Sequence, residues 1–219
     1  MNAFGNKALN ALYAKSLTED IVAILIRCCS KMKLDAAKGR LLPRNSENRI
    51  TNRLFHDYLE KEHVHQLFHF QLQSPENYNP ETDLYRGVGD IRVVPWNMLT
   101  VPKACFLIEC KRIDGSPPLN REYIKEGVQR FIEESPKYKS YFGRSIMLGY
   151  VVSSIDIPEN VLEIDKRLAE LVDGVSVGNL VLVRHNSDWY VYSSESTSGG
   201  GVSIILDHLF FDFSGAIQI

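Results

Sequence analysis

The spacing of hydrophobic and polar residues along the 219-residue chain predicts alternating helices and strands. Apolar residues at helical spacing predict helices over 19–32, 47–62, 120–134 and 158–172, the first with Thr18 as its N-cap. Alternating or continuously apolar runs predict strands over 63–73, 83–97, 104–113, 144–153, 180–185, 188–194 and 202–213. This order is typical of an α/β fold, a mixed sheet flanked by helices.

The chain is expected to form a single domain over 1–219, because 44% hydrophobic content suffices for one full core. A basic N-terminal helical extension (1–45), a central core (46–152) and a C-terminal helix with strands (153–219) are its predicted parts. The aliphatic run 21–26 is too short to cross a membrane, and no secretory signal is evident, so a cytoplasmic location is expected. Cys28, Cys29, Cys105 and Cys110 lack CxxC spacing, which favours reduced, buried thiols.

Charge is unevenly distributed between the two ends of the chain. Residues 1–144 contain 22 Lys and Arg against 17 Asp and Glu, whereas residues 145–219 contain 3 against 10. The segment 27–53 alone has eight basic residues and two acidic ones. This asymmetry favours a phosphate-facing N-terminal part and a solvating or partner-facing C-terminal part. A solvated helix face without a ligand is the alternative interpretation.

The strand ACFLIECKRI (104–113) places two charged residues in an apolar run. Because side chains alternate along a strand, Glu109 and Lys111 share a face with Leu107, opposite to the side of Phe106 and Ile108. Asp90, 19 positions before Glu109, stands where the apolar part of the preceding strand begins. If the two strands pair, the carboxylates of Asp90 and Glu109 can converge, and at about 4 Å apart they would repel by about 4 kcal/mol at an effective dielectric constant near 20. Oxygen ligands of this kind suit Mg²⁺ or Mn²⁺.

The motifs GVGDIRVV and FLIECKR, followed by an amphipathic helix containing Gln129, resemble the PD-(D/E)xK nuclease superfamily of restriction and repair nucleases. The resemblance implies a restriction-endonuclease-like fold in which Asp90 is the first acid, Glu109 the second and Lys111 the lysine. Glu47 matches the additional acid of the preceding helix, and Gln129 matches a Gln that lines the site in some members.

The resemblance covers residues 46–152, with Gly89 where the proline of the family's name would stand. The segments YIKEGVQRF, MLGYVV and HLFFDF are also similar to small bacterial and phage-defence nucleases.

The function that the resemblance implies is a Mg²⁺-dependent endodeoxyribonuclease of restriction or defence, with Mn²⁺ as a substitute metal. Asp90, Glu109, Glu47 and the Cys110 carbonyl would hold one or two metal ions, and Lys111 would orient the attacking water. The DNA backbone would be held by basic residues of the N-terminal part: Lys38, Arg40, Arg44, Arg49 and Arg53. A homodimer would provide two sites for cutting both strands.

Other interpretations remain open for the protein as a whole. It is alternatively a non-catalytic, nuclease-like binding or regulatory subunit of a larger defence complex, or a nuclease that requires a partner subunit such as an ATPase. His63, His65 and His69 resemble a metal cluster, but solvated or core histidines are favoured over ligands. The sequence contains no GxSxG elbow and no GxxxxGK[ST] or GxGxxG phosphate loop.

Each proposed site residue also has a simpler structural interpretation. Glu109 and Lys111 would form a surface salt bridge, Asp90 would be a turn residue, and Gln129 would be a polar-face residue. Glu47 would stabilise the N-terminus of its helix.

Overall fold

The computed structural model describes residues 7–62, 67–79, 84–101, 103–133, 136–138, 140–172, 176–197 and 201–218. Within these ranges the α-helices are Lys7–Ala37 (α1), Glu47–Leu54 (α2), Pro117–Tyr123 (α3), Gln129–Ile132 (α4) and Ile157–Leu171 (α5). A π-helical turn, Phe55–Leu59, continues α2, and a second one, Ile124–Val128, joins α3 to α4.

Ten strands alternate with these helices in the described ranges. They are Leu42–Pro43 (β1), Phe68–Asn79 (β2), Leu84–Pro95 (β3), Phe106–Ile113 (β4), Arg144–Val151 (β5), Ser176–Val177 (β6), Val181–His185 (β7), Trp189–Thr197 (β8), Ser203–Asp212 (β9) and Ile217–Gln218 (β10).

One mixed sheet of eight strands organises the fold, in the order β2-β3-β4-β5-β9-β8-β6, with β7 also paired to β8. The hairpin β2–β3 is antiparallel, β3 is antiparallel to β4, and β4, β5 and β9 run parallel to one another. The helices α3 and α4 form the crossover between the parallel strands β4 and β5. The predicted α/β class, a mixed sheet flanked by helices, is therefore confirmed.

Each face of the sheet is covered by its own hydrophobic core. The first core joins α1 and α2 to the side of β4 that carries Phe106, Ile108 and Cys110. The second joins α3, α4 and α5 to the opposite side of β4, which carries Leu107 and Ile113. The predicted alternation of β4 is confirmed, and the four cysteines are buried free thiols, as expected.

The N-terminal helix differs most from its prediction. It begins at Lys7, so Thr18 lies inside it and donates its hydroxyl to the carbonyl oxygens of Ala14 and Lys15 at 3.1 and 2.9 Å. The prediction of Thr18 as an N-cap was wrong, because the apolar periodicity continues upstream of it. α1 is an integral part of the first core: Ile21, Leu25 and Met32 are fully buried there.

Strand β2 extends further along the chain than predicted: it continues through Pro75 to Asn79, whereas the predicted strand ended at residue 73.

No helix in the described part of the chain is both long and apolar enough to span a bilayer.

Candidate active site

The site begins where β3 and β4 separate. Their ladder runs only from Val93 opposite Phe106 to Ile91 opposite Ile108. Beyond that point β4 remains paired with β5 on its other edge, so the backbone N–H groups facing β3 lack a strand partner. The fork therefore opens a polar gap inside an otherwise continuous sheet.

Two carboxylates accept the backbone N–H groups that the fork leaves free. The Cys110 N–H donates to Asp90 Oδ2 at 2.7 Å, and the Arg112 N–H donates to Glu47 Oε2 at 3.1 Å. Asp90 belongs to β3, so it is a strand residue and not a turn residue. Glu47 is the first residue of α2, and its side chain reaches β4.

Lys111 connects these groups. Its ammonium donates to Glu109 Oε1 at 2.8 Å, to Glu47 Oε1 at 3.0 Å and to the Cys110 carbonyl oxygen at 2.9 Å. The Lys111 side chain is 6% exposed and that of Glu109 is 1% exposed, so their contact is not a surface salt bridge. The structure thus brings together the acids of α2, β3 and β4 around one lysine, and the Cys110 carbonyl contacts that lysine.

Glu109 also has partners on the covering helix and the chain that follows it. Arg130 Nη1 donates to Glu109 Oε1 at 3.0 Å, and the Tyr138 hydroxyl lies 2.9 Å from Glu109 Oε2. Arg130 in turn pairs with Glu126 one helical turn earlier, at 3.0 Å. Both oxygens of the buried carboxylate are therefore satisfied.

The surroundings of the three acids raise their pKa values. Burial, together with the nearby Asp90 carboxylate, raises the pKa of Glu109 to about 7. Burial also raises the pKa values of Glu47 and Asp90, against the opposing effects of Lys111 on Glu47 and of the Cys110 N–H on Asp90. Burial alone would lower the pKa of Lys111, but the Glu109 and Glu47 carboxylates outweigh it and hold that pKa above its ordinary value. Negative charge is thus in surplus here.

Two glycines permit the close packing around the cluster. A Cβ on Gly87 would lie 2.8 Å from Cε1 of the Tyr138 ring, so only glycine lets that ring lie against β3. A Cβ on Gly127 would lie 2.5 Å from the buried Met147 Cε and 3.5 Å from Lys111 Cγ. Gly127 therefore brings its π-helical turn close to the stem of the lysine, and such turns are frequent at functional sites.

Gln129 is not part of this network in the described residues, where no hydrogen bond joins its amide to the acids. Each helical residue turns the chain by about 100°, so Gln129 lies nearly opposite Gly127, whereas Arg130 returns toward the sheet. Sequence reasoning missed Arg130 and Tyr138. The i, i+4 pair of Glu126 and Arg130 was a visible signal for Arg130, but no local pattern indicated Tyr138.

The predicted DNA-binding residues occupy one region but differ in availability. Arg40, Arg49 and Arg53 line a cleft of about 380 Å³ together with His56 and Asp57. Arg49 is exposed, whereas Arg40 pairs with Asp57 at 3.1 Å and only 9% of the Arg53 side chain is exposed. Arg53 donates to the carbonyl oxygen of Arg40, and this bond holds the segment between α1 and α2 against α2.

Arg44 and Lys38 complete the basic set. Lys38 is exposed and lies 3.7 Å from Asp35. Arg44 donates to Ser153 Oγ at 2.9 Å, and its carbonyl oxygen accepts from Arg112, the neighbour of Lys111, at 3.1 Å. The segment 38–46 between α1 and α2, which we call the basic loop, therefore contacts β4 at the residue next to Lys111.

Of the three histidines that resemble a metal cluster, His69 alone lies within the described residues. His63 and His65 lie outside those residues. His69 belongs to β2, and its ring centroid lies 6.1 Å from that of Trp96.

The donor chemistry of the cluster fits a hard divalent cation, because carboxylates from three elements surround a group that is already cationic. In the described part of the chain, however, no three His, Cys, Asp or Glu side chains stand as a ready set of metal ligands. The reason is geometric: the Lys111 ammonium lies between Glu47 and Glu109, and Asp90 is bonded to the Cys110 N–H.

Comparisons of the chain with family models, with curated proteins and with solved structures found no match. Interpretation of the site therefore depends on its own geometry.

Proposed function

We propose that this protein is a Mg²⁺-dependent endodeoxyribonuclease of the PD-(D/E)xK type that acts in restriction or defence. The observation that carries the proposal is the Lys111 ammonium held between Glu109 and Glu47 beside Asp90. Bringing three carboxylates together in a largely buried site lowers the stability of the fold. Such an arrangement is more common at functional sites than in structural ion pairs. A cluster of this composition is explained more readily by chemistry than by folding.

Glu47, Asp90 and Glu109 would hold the metal ion in this proposal. A bound Mg²⁺ supplies charge stabilisation at the scissile phosphate and lowers the pKa of a bound water. Lys111 would then donate from its ammonium to the attacking water or to the developing negative oxygen. The Cys110 backbone N–H would continue to orient the Asp90 carboxylate, which it contacts at 2.7 Å.

The position of the basic loop supports DNA as the substrate. Arg44 is joined to Arg112 next to Lys111, and the cleft that contains Arg40 and Arg49 belongs to the same loop and helix. Arg49 is exposed, and no salt bridge involves it in the described residues, so its guanidinium is available to a phosphate. Cutting both strands of DNA would require two sites, which a homodimer would supply.

The proposal is tested by incubating the purified protein with plasmid DNA and Mg²⁺. The wild type should cleave, and Glu109→Ala and Lys111→Ala should lose about 10³-fold in rate, since each removes several kcal/mol of transition-state stabilisation. Glu163→Ala, which changes an exposed acid on α5, should cleave normally. Cleavage that survives both site substitutions would exclude this assignment.

A second function, a non-catalytic nuclease-like binding or regulatory subunit, is favoured by one observation. Lys111, Arg130 and Tyr138 already satisfy both oxygens of Glu109 without a metal ion. Such a subunit would associate with a partner, for example an ATPase, through the acidic segment 145–219. Calorimetric titration with Mn²⁺ separates the two functions, because only the nuclease should bind the metal at a site that Glu109→Ala removes.

A further inference from the structure

Tyr138 contacts Glu109, but neither the sequence around it nor the proposed nuclease mechanism gives it a role. The residue follows α4 and is 1% exposed. Its hydroxyl oxygen lies 2.9 Å from Glu109 Oε2 and 2.8 Å from the Val88 carbonyl oxygen, and it accepts from Arg130 Nη1 at 2.8 Å. A hydroxyl has one proton, so it donates to one of those two oxygens at a time.

The two oxygens belong to the two strands of the fork. Val88 lies in β3 two residues before Asp90, and Glu109 lies in β4. Tyr138 therefore spans the gap between the strands that carry the two acids. Its ring is held against β3 at Gly87, where an added Cβ would approach Cε1 to 2.8 Å.

Glu109 has three side-chain partners, of which two are cations and one, Tyr138, is neutral. Lys111 and Arg130 are cations, so a divalent ion at Glu109 would repel both. The Tyr138 phenol is a neutral hydrogen-bond donor, so a divalent ion at Glu109 would not repel it. Among the described partners of the carboxylate, the hydroxyl is therefore the one that a bound metal ion would not repel.

We propose that Tyr138 is a positioning residue that holds the Glu109 carboxylate and the fork between β3 and β4 in the arrangement that receives a divalent cation. The inference rests on the proposed nuclease function. Hydrogen-bond partners of this kind orient metal-ligating carboxylates, and their loss typically lowers metal affinity about 10-fold to 100-fold.

The test is calorimetric titration of Mn²⁺ into wild-type protein, Tyr138→Phe and Tyr123→Phe. Tyr123 is a matched control, because its buried hydroxyl bonds to His208 Nδ1 at 2.8 Å and contacts none of the acids. Tyr138→Phe should weaken Mn²⁺ binding about 10-fold to 100-fold. Tyr123→Phe should lose thermal stability to a similar extent and bind Mn²⁺ like the wild type.

Two further variants keep the test decisive if Tyr138→Phe folds poorly. Gly87→Ala displaces the Tyr138 ring without altering a polar group, and it should also weaken Mn²⁺ binding. Arg130→Gln removes a competing cation and should strengthen binding, the opposite sign from Tyr138→Phe.

The outcomes separate this inference from the proposed function. If the wild type binds Mn²⁺ through Glu109 but Tyr138→Phe and Gly87→Ala bind it equally well, the positioning role is wrong and the nuclease proposal stands. If Tyr123→Phe loses as much affinity as Tyr138→Phe, the loss reflects general destabilisation, and the role is again wrong. If the wild type binds no Mn²⁺, both the inference and the metal-dependent function are excluded.

Discussion

Two largely buried groups of charged residues lie toward opposite ends of the parallel strands, and they differ in charge balance. The first, which we call the acidic cluster, consists of Glu47, Asp90 and Glu109 around Lys111. The second is a closed pair in which Arg144 Nε and Nη2 each donate to a different oxygen of Asp207 at 2.8 Å. Arg144 lies five residues before Gly149, the partner of Lys111, which separates the two regions by roughly 16 Å along the strands.

Of these two groups, the closed pair is explained by its contribution to the stability of the fold, whereas the acidic cluster is not. In the closed pair, one carboxylate meets one guanidinium in a bidentate contact, so charge and hydrogen bonds balance without any ligand. In the acidic cluster, three carboxylates share Lys111 and Arg130, and Arg130 is also bonded to Glu126. The unbalanced group is the one that stands to gain from binding a cation, which is why the proposed function is placed there.

The largest expected difference between the two regions is in the free energy of unfolding. Asp207→Asn should lower it by about 3 to 5 kcal/mol, because the largely buried Arg144 side chain would lose its counter-charge. Asp90→Asn should raise it by about 1 kcal/mol, because the change relieves repulsion with Glu109 while the amide oxygen still accepts the Cys110 N–H. Urea denaturation of both variants measures the two values. Equal losses would show that the acidic cluster is as balanced as the closed pair.

A second difference concerns pH. Because the pKa of Glu109 is raised from 4.5 to about 7 in the folded state, the folded protein binds more protons than the unfolded chain between these values. The stability that protonated Glu109 contributes is complete below pH 4.5, falls as the pH rises, and is lost above pH 7, a change of about 3 kcal/mol. Unfolding curves measured across this range, with the values for Glu109→Gln subtracted from those of the wild type, isolate the contribution.

The subtraction matters because His208 acts in the opposite direction. Burial lowers the pKa of His208 to about 3, so the protein loses stability as the pH falls below the ordinary histidine value of 6.5. His208 is present in both the wild type and Glu109→Gln, and its effect cancels in the difference. A difference that does not change with pH would contradict the raised pKa of Glu109.

The smallest expected effect concerns DNA affinity and compares one exposed arginine from each region. Arg49→Ala should reduce the slope of log affinity against log salt concentration by about 0.9, the value for one phosphate contact. Arg184→Ala, in β7 near the closed pair, should leave the slope unchanged. Fluorescence anisotropy with labelled duplex DNA, using Glu109→Gln as the parent protein to prevent cleavage, gives both slopes. Equal slopes for the two variants would argue against DNA binding at the cleft that Arg49 lines.

Several features of the site were accessible from local sequence. The alternation of β4 predicted that Glu109 and Lys111 share a face, and both side chains lie on the same side as Leu107 and contact each other. The acid leading an apolar segment predicted that Asp90 would lie near β4, and it bonds to Cys110 in that strand. The roles of these residues in metal binding and catalysis stay predictions.

Other features were not accessible, because they depend on how distant elements dock. Tyr138 is 29 positions from Glu109, and Arg130 approaches the carboxylate because the helix that carries it packs closely at Gly127. The burial of Arg53 and the pairing of Arg40 with Asp57 likewise arise from the packing of the basic loop against α2. A basic stretch in a sequence does not reveal which of its charges are already neutralised.

The sequence by itself determined the order and type of the main elements and the sides of β4 on which its residues lie, because these follow from the local periods of helix and strand. Only the tertiary structure decided that β3 and β4 part at Ile91 and Ile108, that Lys111 lies between Glu47 and Glu109, and that Tyr138 spans the fork. Those arrangements depend on strand register and on close approach between elements distant in the chain, and local periodicity contains neither.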